Sequence, residues 1–310
     1  MKRLAVLAAA LFTVAQLSAT PATSWQTAQP FVGVTYSERV ETQPRALRMH
    51  VAQIDLEAPG IRFKVSPPAG DREVMRQSTL DYLKQERAQV AINAHYFLPF
   101  PSADRTAWVI GLGVSEGRVF SAFESPEQSY ALVAYGPAIN IDRDNHASIV
   151  HHDARLADNQ HVREQVALWN VVTGSSQIVT GGRATVPTYR DDNHFDGELD
   201  PGGPNNYSNS KAWADARTAR TAIGLSGDRR TLTLFTVDVR GGSEGMSLSE
   251  VAAVLIRDFG VADALNLDGG GSTTMAMEGA DGVPSIINVS SDNQAGRVVA
   301  TSLAVFARRR

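Results

Sequence analysis

The sequence predicts an α+β protein, with mixed β-sheets and packed helices that include one C-terminal βαβ unit. Three observations support this class. Apolar and charged residues alternate within 47–66, which is typical of half-buried strands. Ser78 and Ser247 each precede an apolar-periodic segment with an acidic residue three positions on, the pattern of a helix N-cap. A strand, a helix and a strand follow one another over 232–267, and this order predicts parallel strands joined by a right-handed crossover.

The N-terminus has the layout of a secretory signal peptide. A basic start precedes an apolar run at residues 4–17, and small residues follow. We therefore expect residues 1–22 to be a signal peptide, with cleavage after Ala19 or Ala22. A periplasmic or secreted protein follows from this interpretation, with no stable membrane anchor after cleavage.

The remainder is predicted to form one domain. Residues 23–46 are expected to be a leader and a first strand, and 47–310 the domain itself. Within the domain, residues 183–216 are polar and rich in Gly, Asn, Asp and Pro. A loop of this length in a compact domain is usually a lid, a binding loop or disordered.

The composition excludes several classes of function. The chain has 310 residues, 43% of them hydrophobic, so it can form a packed core. It has no cysteine, which excludes disulfides, zinc–thiolate sites, iron–sulfur clusters and a cysteine nucleophile. Lys and Arg number 29 against 33 Asp and Glu, so we expect no nucleic-acid partner.

The most informative segment is the sequence Asn-Leu-Asp-Gly-Gly-Gly-Ser-Thr at 266–273. It lies where a buried strand is predicted to end. Consecutive glycines allow a sharp turn and a close approach of ligand to the backbone, and successive amides can form a concave nest for an anionic oxygen. Asp268 is expected to point into the same space. The alternative is a glycine-rich tight turn with a capping aspartate.

Further candidates lie at other predicted strand ends. Asn93 offers a donor and an acceptor, and an arginine suits a phosphate because its planar guanidinium can bind two oxygens. For His95 the alternative is an ordinary half-buried histidine, and for Arg220 it is a surface salt bridge. The candidates are Asn93, His95, Arg220, Asp238, Asp292 and Arg297.

Taken in their order along the chain, the motifs of residues 47–308 resemble those of the phosphodiester glycosidase family. The segments that carry the resemblance are 51–56, 91–93 with the two aromatics that follow, 220–224, Asp238 with 245–248, 266–273, and Asp292 with Arg297. The chain departs from the family where it has Asn-Ala-His-Tyr-Phe at 93–97 and Thr-Gly-Ser-Ser at 173–176, and both changes alter the expected sugar pocket.

The resemblance implies an enzyme that hydrolyses a sugar 1-phosphodiester at the glycosidic C–O bond, in a glycan or envelope polymer. It implies that Asp268 or Asp238 is the base or nucleophile, since the anomeric carbon develops positive charge. The implied substrate-binding residues are Asn93, His95, Arg220, Thr221, Gly269, Gly270, Gly271, Ser272, Asp292 and Arg297.

Two alternatives remain open. The same carboxylates would suit a phosphodiesterase that cleaves the P–O bond with Ca²⁺ or Mg²⁺ as its cofactor. The same cleft would also suit a non-catalytic envelope protein that binds exopolysaccharide. The sequence identifies no certain cofactor and leaves Ca²⁺ or Mg²⁺ as the possible one.

Overall fold

The computed structural model describes residues 24–123, 135–186, 214–289 and 293–310. The predicted signal peptide and most of the predicted polar loop lie outside these residues. The strands are β1 Gln26–Phe31, β2 Val34–Glu41, β3 Leu47–Asp55, β4 Arg62–Val65, β5 Val74–Met75, β6 Gln77–Ser78, β7 Val90–Asn93, β8 Phe97–Leu98, β9 Thr106–Val109, β10 Gly113–Ser115, β11 Arg118–Ser121, β12 Ala138–Ile141, β13 Ala147–Val150, β14 Asn170–Thr173, β15 Ser176–Thr180, β16 Arg183–Ala184, β17 Arg220–Ser226, β18 Thr231–Val237, β19 Val261–Asn266, β20 Met275–Glu278, β21 Pro284–Ile286, β22 Val298–Val299 and β23 Ser302–Phe306.

The described residues contain two helices with defined bounds, α1 Thr79–Glu86 and α2 Leu248–Phe259. Ser78 caps α1, because its side chain accepts from the amide of Asp81 at 3.1 Å. Ser247 begins α2 with a complete capping box, and Gly260 ends it in the left-handed conformation, φ 63°. The two N-caps confirm the helix starts predicted at Ser78 and Ser247.

Three larger sheets form the body of the protein. The main sheet has the order β1-β2-β3-β18-β17-β19-β15-β16, the second β21-β20-β7-β23-β4, and the third β11-β10-β14-β12-β13. The hairpin of β10 and β11 turns at Glu116 and Gly117, both with positive φ.

The core lies between the main and second sheets. Ile54 and Leu234 of the main sheet meet Ile92 and Leu303 of the second, and residues of the third sheet join them. A separate apolar cluster joins the other face of the main sheet to α2. A third cluster joins the outer face of the second sheet to Tyr82 and Leu83 of α1. The sheets are therefore stacked face to face, with one helix on each outer side.

Two features of the predicted fold need correction. The sheets are not mixed, because every strand pairing among the described residues is antiparallel. The predicted βαβ unit is also not confirmed. Strand β17 is inserted between β18 and β19 and pairs antiparallel with both, so the two strands share a direction without forming a parallel ladder. Strand makes up 43% of the structure, and the α+β class holds in this sheet-rich form.

Candidate functional site

The antiparallel order of three central strands brings distant segments to one edge of the main sheet. β18 ends just before Asp238 and β19 ends two residues before Asp268, whereas β17 begins at Arg220. Arg220 is in register with Val237, and Ala222 is in register with Asn266. Because β17 runs opposite to its two neighbours, its first residue lies beside their last ones. The same edge therefore holds Arg220, Asp238 and the start of the glycine segment.

Asn93, at the end of β7, ties the second sheet to this edge. Its Nδ2 donates to the carbonyl of Asp268 at 2.6 Å, and its Oδ1 accepts from Thr221 Oγ1 at 2.9 Å and from the amide of Thr274 at 3.0 Å. Asn93 and Thr221 are both fully buried. Their side chains, which the sequence predicts to bind substrate, hydrogen-bond to protein groups and hold the site together.

The glycine segment forms a short 3₁₀ turn over Gly270–Ser272. The amide of Gly270 donates to the carbonyl of Ala219 at 2.8 Å, and the amides of Ser272 and Thr273 donate to carbonyls of the segment itself at 3.1 and 3.2 Å. Of the three consecutive glycines of the predicted anion nest, Gly270 therefore has its amide bonded to a main-chain carbonyl, and the nest itself stays a prediction.

The segment lies directly against the start of β17. A Cβ placed on Gly269 would lie 2.9 Å from the Ala219 carbonyl oxygen and 3.7 Å from the Arg220 Cα. Asp268 precedes this contact, and its amide donates to the carbonyl of Ala94 at 3.1 Å. Asp268 retains 9% exposure. The aspartate is thus fixed through its amide and its carbonyl, and its Oδ2 is buried.

Arg220 is almost completely buried and rigidly held. Its Nε donates to the carbonyl of Met246 at 3.1 Å, and its Nη2 donates to the carbonyl of Ala216 at 2.6 Å. Burial lowers the pKa of Arg220 to about 10, and the nearby Tyr96 opposes this shift. The guanidinium remains charged at neutral pH, and it is not the surface salt bridge that was the alternative.

Arg297 approaches the glycine segment from the C-terminal part of the chain. Its Nη1 donates to Ser272 Oγ at 3.1 Å, and its guanidinium lies 4.6 Å from the ring centroid of Phe100. Ser272 is buried and Arg297 is half-buried. Asp292, the other predicted residue of this stretch, lies outside the described residues. Arg297 is therefore a second cation attached to the same turn.

Asp238 is fully buried beneath the edge. Its Oδ1 accepts from Asn288 Nδ2 at 2.9 Å, and its Oδ2 accepts from the amide of Val289 at 3.0 Å. Asn288 in turn donates to the carbonyl of Thr273 at 3.2 Å. His50 places its Nε2 3.6 Å from Asp238 Oδ2. Both carboxylate oxygens thus accept hydrogen bonds from protein groups that support the end of the glycine segment.

His95 lies behind the site and is also fully buried. Its Nε2 is 3.1 Å from the carbonyl of Leu112, so this nitrogen donates, and Nδ1 accepts from Thr301 Oγ1 at 2.8 Å. Burial lowers the pKa of His95 to about 4. The histidine is neutral at neutral pH and contacts protein on both nitrogens, and it is more deeply buried than the half-buried histidine that was the alternative.

Sequence reasoning did not single out three residues next to the site. His50 contacts Asp238, and Arg76 and Phe100 lie beside Arg297. Only His50 carries a sequence signal, since it falls on the same face of β3 as Ala52 and Ile54, which belong to the core. Arg76 and Phe100 come from irregular segments that show no period.

Within 24–123, 135–186, 214–289 and 293–310, no three His, Asp or Glu side chains are grouped closely enough to hold a metal ion. The helices of these same ranges are all too short or too polar to span a bilayer.

The fold and the site define a sheet-rich α+β protein with an acid and two arginines gathered around a glycine turn. A model of the phosphodiester glycosidase family matches residues 86–306. The chain belongs to the phosphodiester glycosidase family, as the sequence motifs predicted. No curated protein matches the chain in sequence.

Solved structures share the fold at low sequence identity. A hypothetical protein from Synechocystis superposes with a TM-score of 0.64 at 16% identity, over 93% of this chain and 64% of its own length. The catalytic domain of zebrafish N-acetylglucosamine-1-phosphodiester alpha-N-acetylglucosaminidase, auto-inhibited by its pro-peptide, gives 0.60 at 20% identity, over 94% and 85%. A protein of Burkholderia pseudomallei that is proposed to be exported gives 0.55 at 17% identity, over 86% and 75%.

Proposed function

We propose that this protein hydrolyses a sugar 1-phosphodiester at the glycosidic C–O bond and releases the sugar. The observation that carries the proposal is the glycine turn, which has Asp268 at its start, Arg220 against its backbone and Arg297 bonded to its last residue. Family membership supports a hydrolase of this type. We further propose that it acts in the periplasm or after secretion, with residues 1–22 as its signal peptide.

The charges of the site suit this substrate. A phosphodiester carries one negative charge, and a guanidinium can bind two of its oxygens at once. Arg220 is 1% exposed and is held by two carbonyls, so it supplies a fixed positive charge beside the turn without any ordering on binding. Arg297 keeps part of its surface exposed and provides a second cation.

The carboxylate that reacts is assigned to Asp268. During cleavage the anomeric carbon gains positive charge, and a carboxylate beside it can stabilise this charge, attack the carbon or activate water. Asp268 keeps 9% exposure, although its Oδ2 is buried, whereas Asp238 has none. Both oxygens of Asp238 accept hydrogen bonds from protein donors, so we assign it a positioning role. The phosphate is a fair leaving group, which lowers the need for a general acid.

The test is the release of sugar from an α-N-acetylglucosamine 1-phosphodiester, the substrate class in the name of the zebrafish relative. We expect Asp268→Asn to reduce release about 10³-fold, because the charge that supports the transition state is lost. The matched control is Asp263→Asn, since Asp263 lies on β19, is equally 9% exposed and pairs with Arg229 instead.

The same assay in ¹⁸O-labelled water shows whether the C–O bond or the P–O bond is cleaved. Label in the sugar supports cleavage of the C–O bond, and label in the phosphate supports P–O cleavage and the metal-assisted alternative. Equal release by wild type and Asp268→Asn would overturn the assignment of Asp268. Calorimetric binding of the diester without any turnover would favour the exopolysaccharide-binding alternative.

A further inference from the structure

A buried histidine connects a tyrosine of the main sheet to Asp238. His50 of β3 is 1% exposed. Its Nδ1 lies 2.7 Å from the hydroxyl oxygen of Tyr36 on β2, and its Nε2 lies 3.6 Å from Asp238 Oδ2. The rings of Tyr36 and His50 are nearly parallel, at 15°, with 6.2 Å between their centroids. Tyr36 is half-buried, so the three side chains form a row that starts at the margin of the core and ends at the candidate site.

Asp238 needs a neighbour that offsets its charge. Its side chain is completely buried, and its hydrogen bonds come from amide groups of Asn288 and Val289, which carry no net charge. A buried carboxylate is costly unless it is paired and fully hydrogen-bonded. Among the residues that the structure describes, His50 is the only basic side chain within 4.0 Å of its oxygens. The imidazole is therefore the group that stabilises the charge of Asp238.

The contacts of His50 determine which of its nitrogens carries hydrogen. A carboxylate only accepts hydrogen bonds, so Nε2 presents an N–H group to Asp238. At 3.6 Å this contact is longer than a hydrogen bond, and its attraction is electrostatic. Burial raises the pKa of Tyr36, and the charges of Glu38 and Asp238 raise it further, so the phenol keeps its proton. The Tyr36 hydroxyl can then donate to Nδ1 and fix the orientation of the ring.

Asp238 connects this row to the glycine turn through Asn288. The Nδ2 of Asn288 donates to Asp238 Oδ1 at 2.9 Å and to the carbonyl of Thr273 at 3.2 Å. The Oδ1 of Asn288 accepts from the amide of Met275 at 2.8 Å. Thr273 directly follows the turn, and Met275 begins the next strand, β20. A displacement of Asp238 therefore moves the segment in which the turn ends.

We propose that Tyr36 and His50 are positioning residues of the candidate site, which hold the glycine turn in place through Asp238. This inference rests on the proposed function, in which the turn presents Asp268 to the substrate. Tyr36 and His50 act through Asp238 and do not touch the substrate. A reacting group that is displaced by a fraction of an ångström slows the reaction more than it weakens binding. Loss of the imidazole should therefore lower kcat more than it raises KM.

The first test is ¹⁵N NMR of the imidazole nitrogens in the whole protein. The spectrum of His50→Gln lacks the signals of His50 and so assigns them in wild type. We expect Nε2 of His50 to carry hydrogen at pH 7, because it faces a carboxylate. An Nε2 without hydrogen would overturn the proposal, since a lone pair directed at Asp238 would repel it.

The second test is the kinetics of sugar release by variants, with rates referred to the folded fraction. His50→Leu removes the N–H group, and we expect kcat to fall about tenfold with KM nearly unchanged. His50→Gln keeps an N–H donor and should recover most of the rate. The matched control is His152→Leu in the loop after β13, because His152 also lies against a tyrosine ring, 4.8 Å from that of Tyr135, but its Nε2 contacts the amide of Asn159.

A third variant covers the case in which His50→Leu does not fold. Tyr36→Phe removes one hydroxyl and leaves the imidazole in place, and it should lower kcat about threefold, since the ring loses the contact that orients it. An unchanged kcat in Tyr36→Phe or in folded His50→Leu would overturn the proposal. So would equal losses of kcat in His50→Gln and His50→Leu, because the N–H group would then have no role.

Amide resonances of the turn separate this proposal from the proposed reaction. His50→Leu should shift the ¹H–¹⁵N signals of Gly269, Gly270 and Gly271, and His50→Gln should return them toward wild type. Such shifts in a protein that releases no sugar would keep the link from His50 to the turn and reject the glycosidase. Sugar release with kcat and glycine signals unchanged in His50→Leu would keep the glycosidase and reject the positioning role.

Discussion

The site has an inner and an outer layer that differ in what their polar groups contact. The inner layer is Asn93, Thr221, Asp238 and Asn288, all buried, with their side chains hydrogen-bonded to protein groups. The outer layer is Asp268, Arg297, Phe100 and Arg76, which reach solvent to differing degrees. Asp238 and Asp268 summarise the difference, at 0% and 9% exposure.

This difference indicates that motif residues near one site serve two purposes. The inner layer joins the two face-to-face sheets and fixes the backbone of the glycine turn. The outer layer offers charge to a ligand. Substitutions in the inner layer should therefore act first on stability, and those in the outer layer first on binding or turnover.

The largest effect on stability is expected for Asn93→Ala. This change leaves the carbonyl of Asp268, the hydroxyl of Thr221 and the amide of Thr274 buried without their present partner. At one to three kcal/mol for each such group, we expect a loss of about 4 kcal/mol in the free energy of unfolding, measured in urea.

Asn140→Ala is the control for this prediction. Asn140 of β12 is also buried, but its side chain bonds the carbonyl of Ala167 and the amide of Trp169, which lie just before β14. It should cost less stability and leave sugar release by the folded fraction unchanged. If Asn93→Ala destabilised no more than Asn140→Ala, the view of Asn93 as the residue that joins the sheets would be wrong.

Much of the local structure could be predicted because it depends on neighbouring residues. The helix N-caps at Ser78 and Ser247 follow from short-range patterns, and the structure confirms them. The glycine turn and the arginine at the start of β17 also stand at strand ends, as expected. Phosphodiester glycosidase motifs in order along the chain identified the family.

The layers of the site could not be predicted, because they depend on pairings between distant residues. The insertion of β17 between β18 and β19 replaces the expected parallel unit by an antiparallel sheet. Whether a side chain at a strand end faces solvent or the second sheet depends on that packing. The positions of Asn93, Asp238 and His95 in the motifs therefore suggest that they bind a ligand. In the structure all three are buried and contact other protein groups.

Because His95 is buried, we expect the free energy of unfolding of the protein to depend on pH. Its pKa is about 4 in the folded state, against about 6.5 for an unperturbed histidine. Between these values the unfolded chain binds a proton that the folded one does not, so stability falls as the pH falls. The loss of stability caused by His95 reaches about 3 kcal/mol below pH 4. Between pH 6.5 and 4 the free energy of unfolding falls by up to about 1.4 kcal/mol per pH unit.

Urea unfolding of wild type and of His95→Gln at several pH values isolates this contribution. Carboxylates add a slope of their own in the acid range, and the difference between the two proteins removes it. We expect the variant to be less stable at pH 7 and to lose less stability on acidification. Parallel pH profiles for the two proteins would contradict the buried neutral histidine.

The smallest predicted effects are those of alanine substitutions at two neighbouring glycines of the turn, Gly269 and Gly270. Gly270 has φ +57° with open space around its missing Cβ, so Gly270→Ala should cost only about 1 kcal/mol of stability. A Cβ on Gly269 would lie 2.9 Å from the Ala219 carbonyl oxygen, a main-chain atom with little freedom to move. Gly269→Ala should therefore displace the turn from Arg220 and raise the KM for the diester. Equal KM values for the two variants would show that the close approach at Gly269 does not position the outer layer.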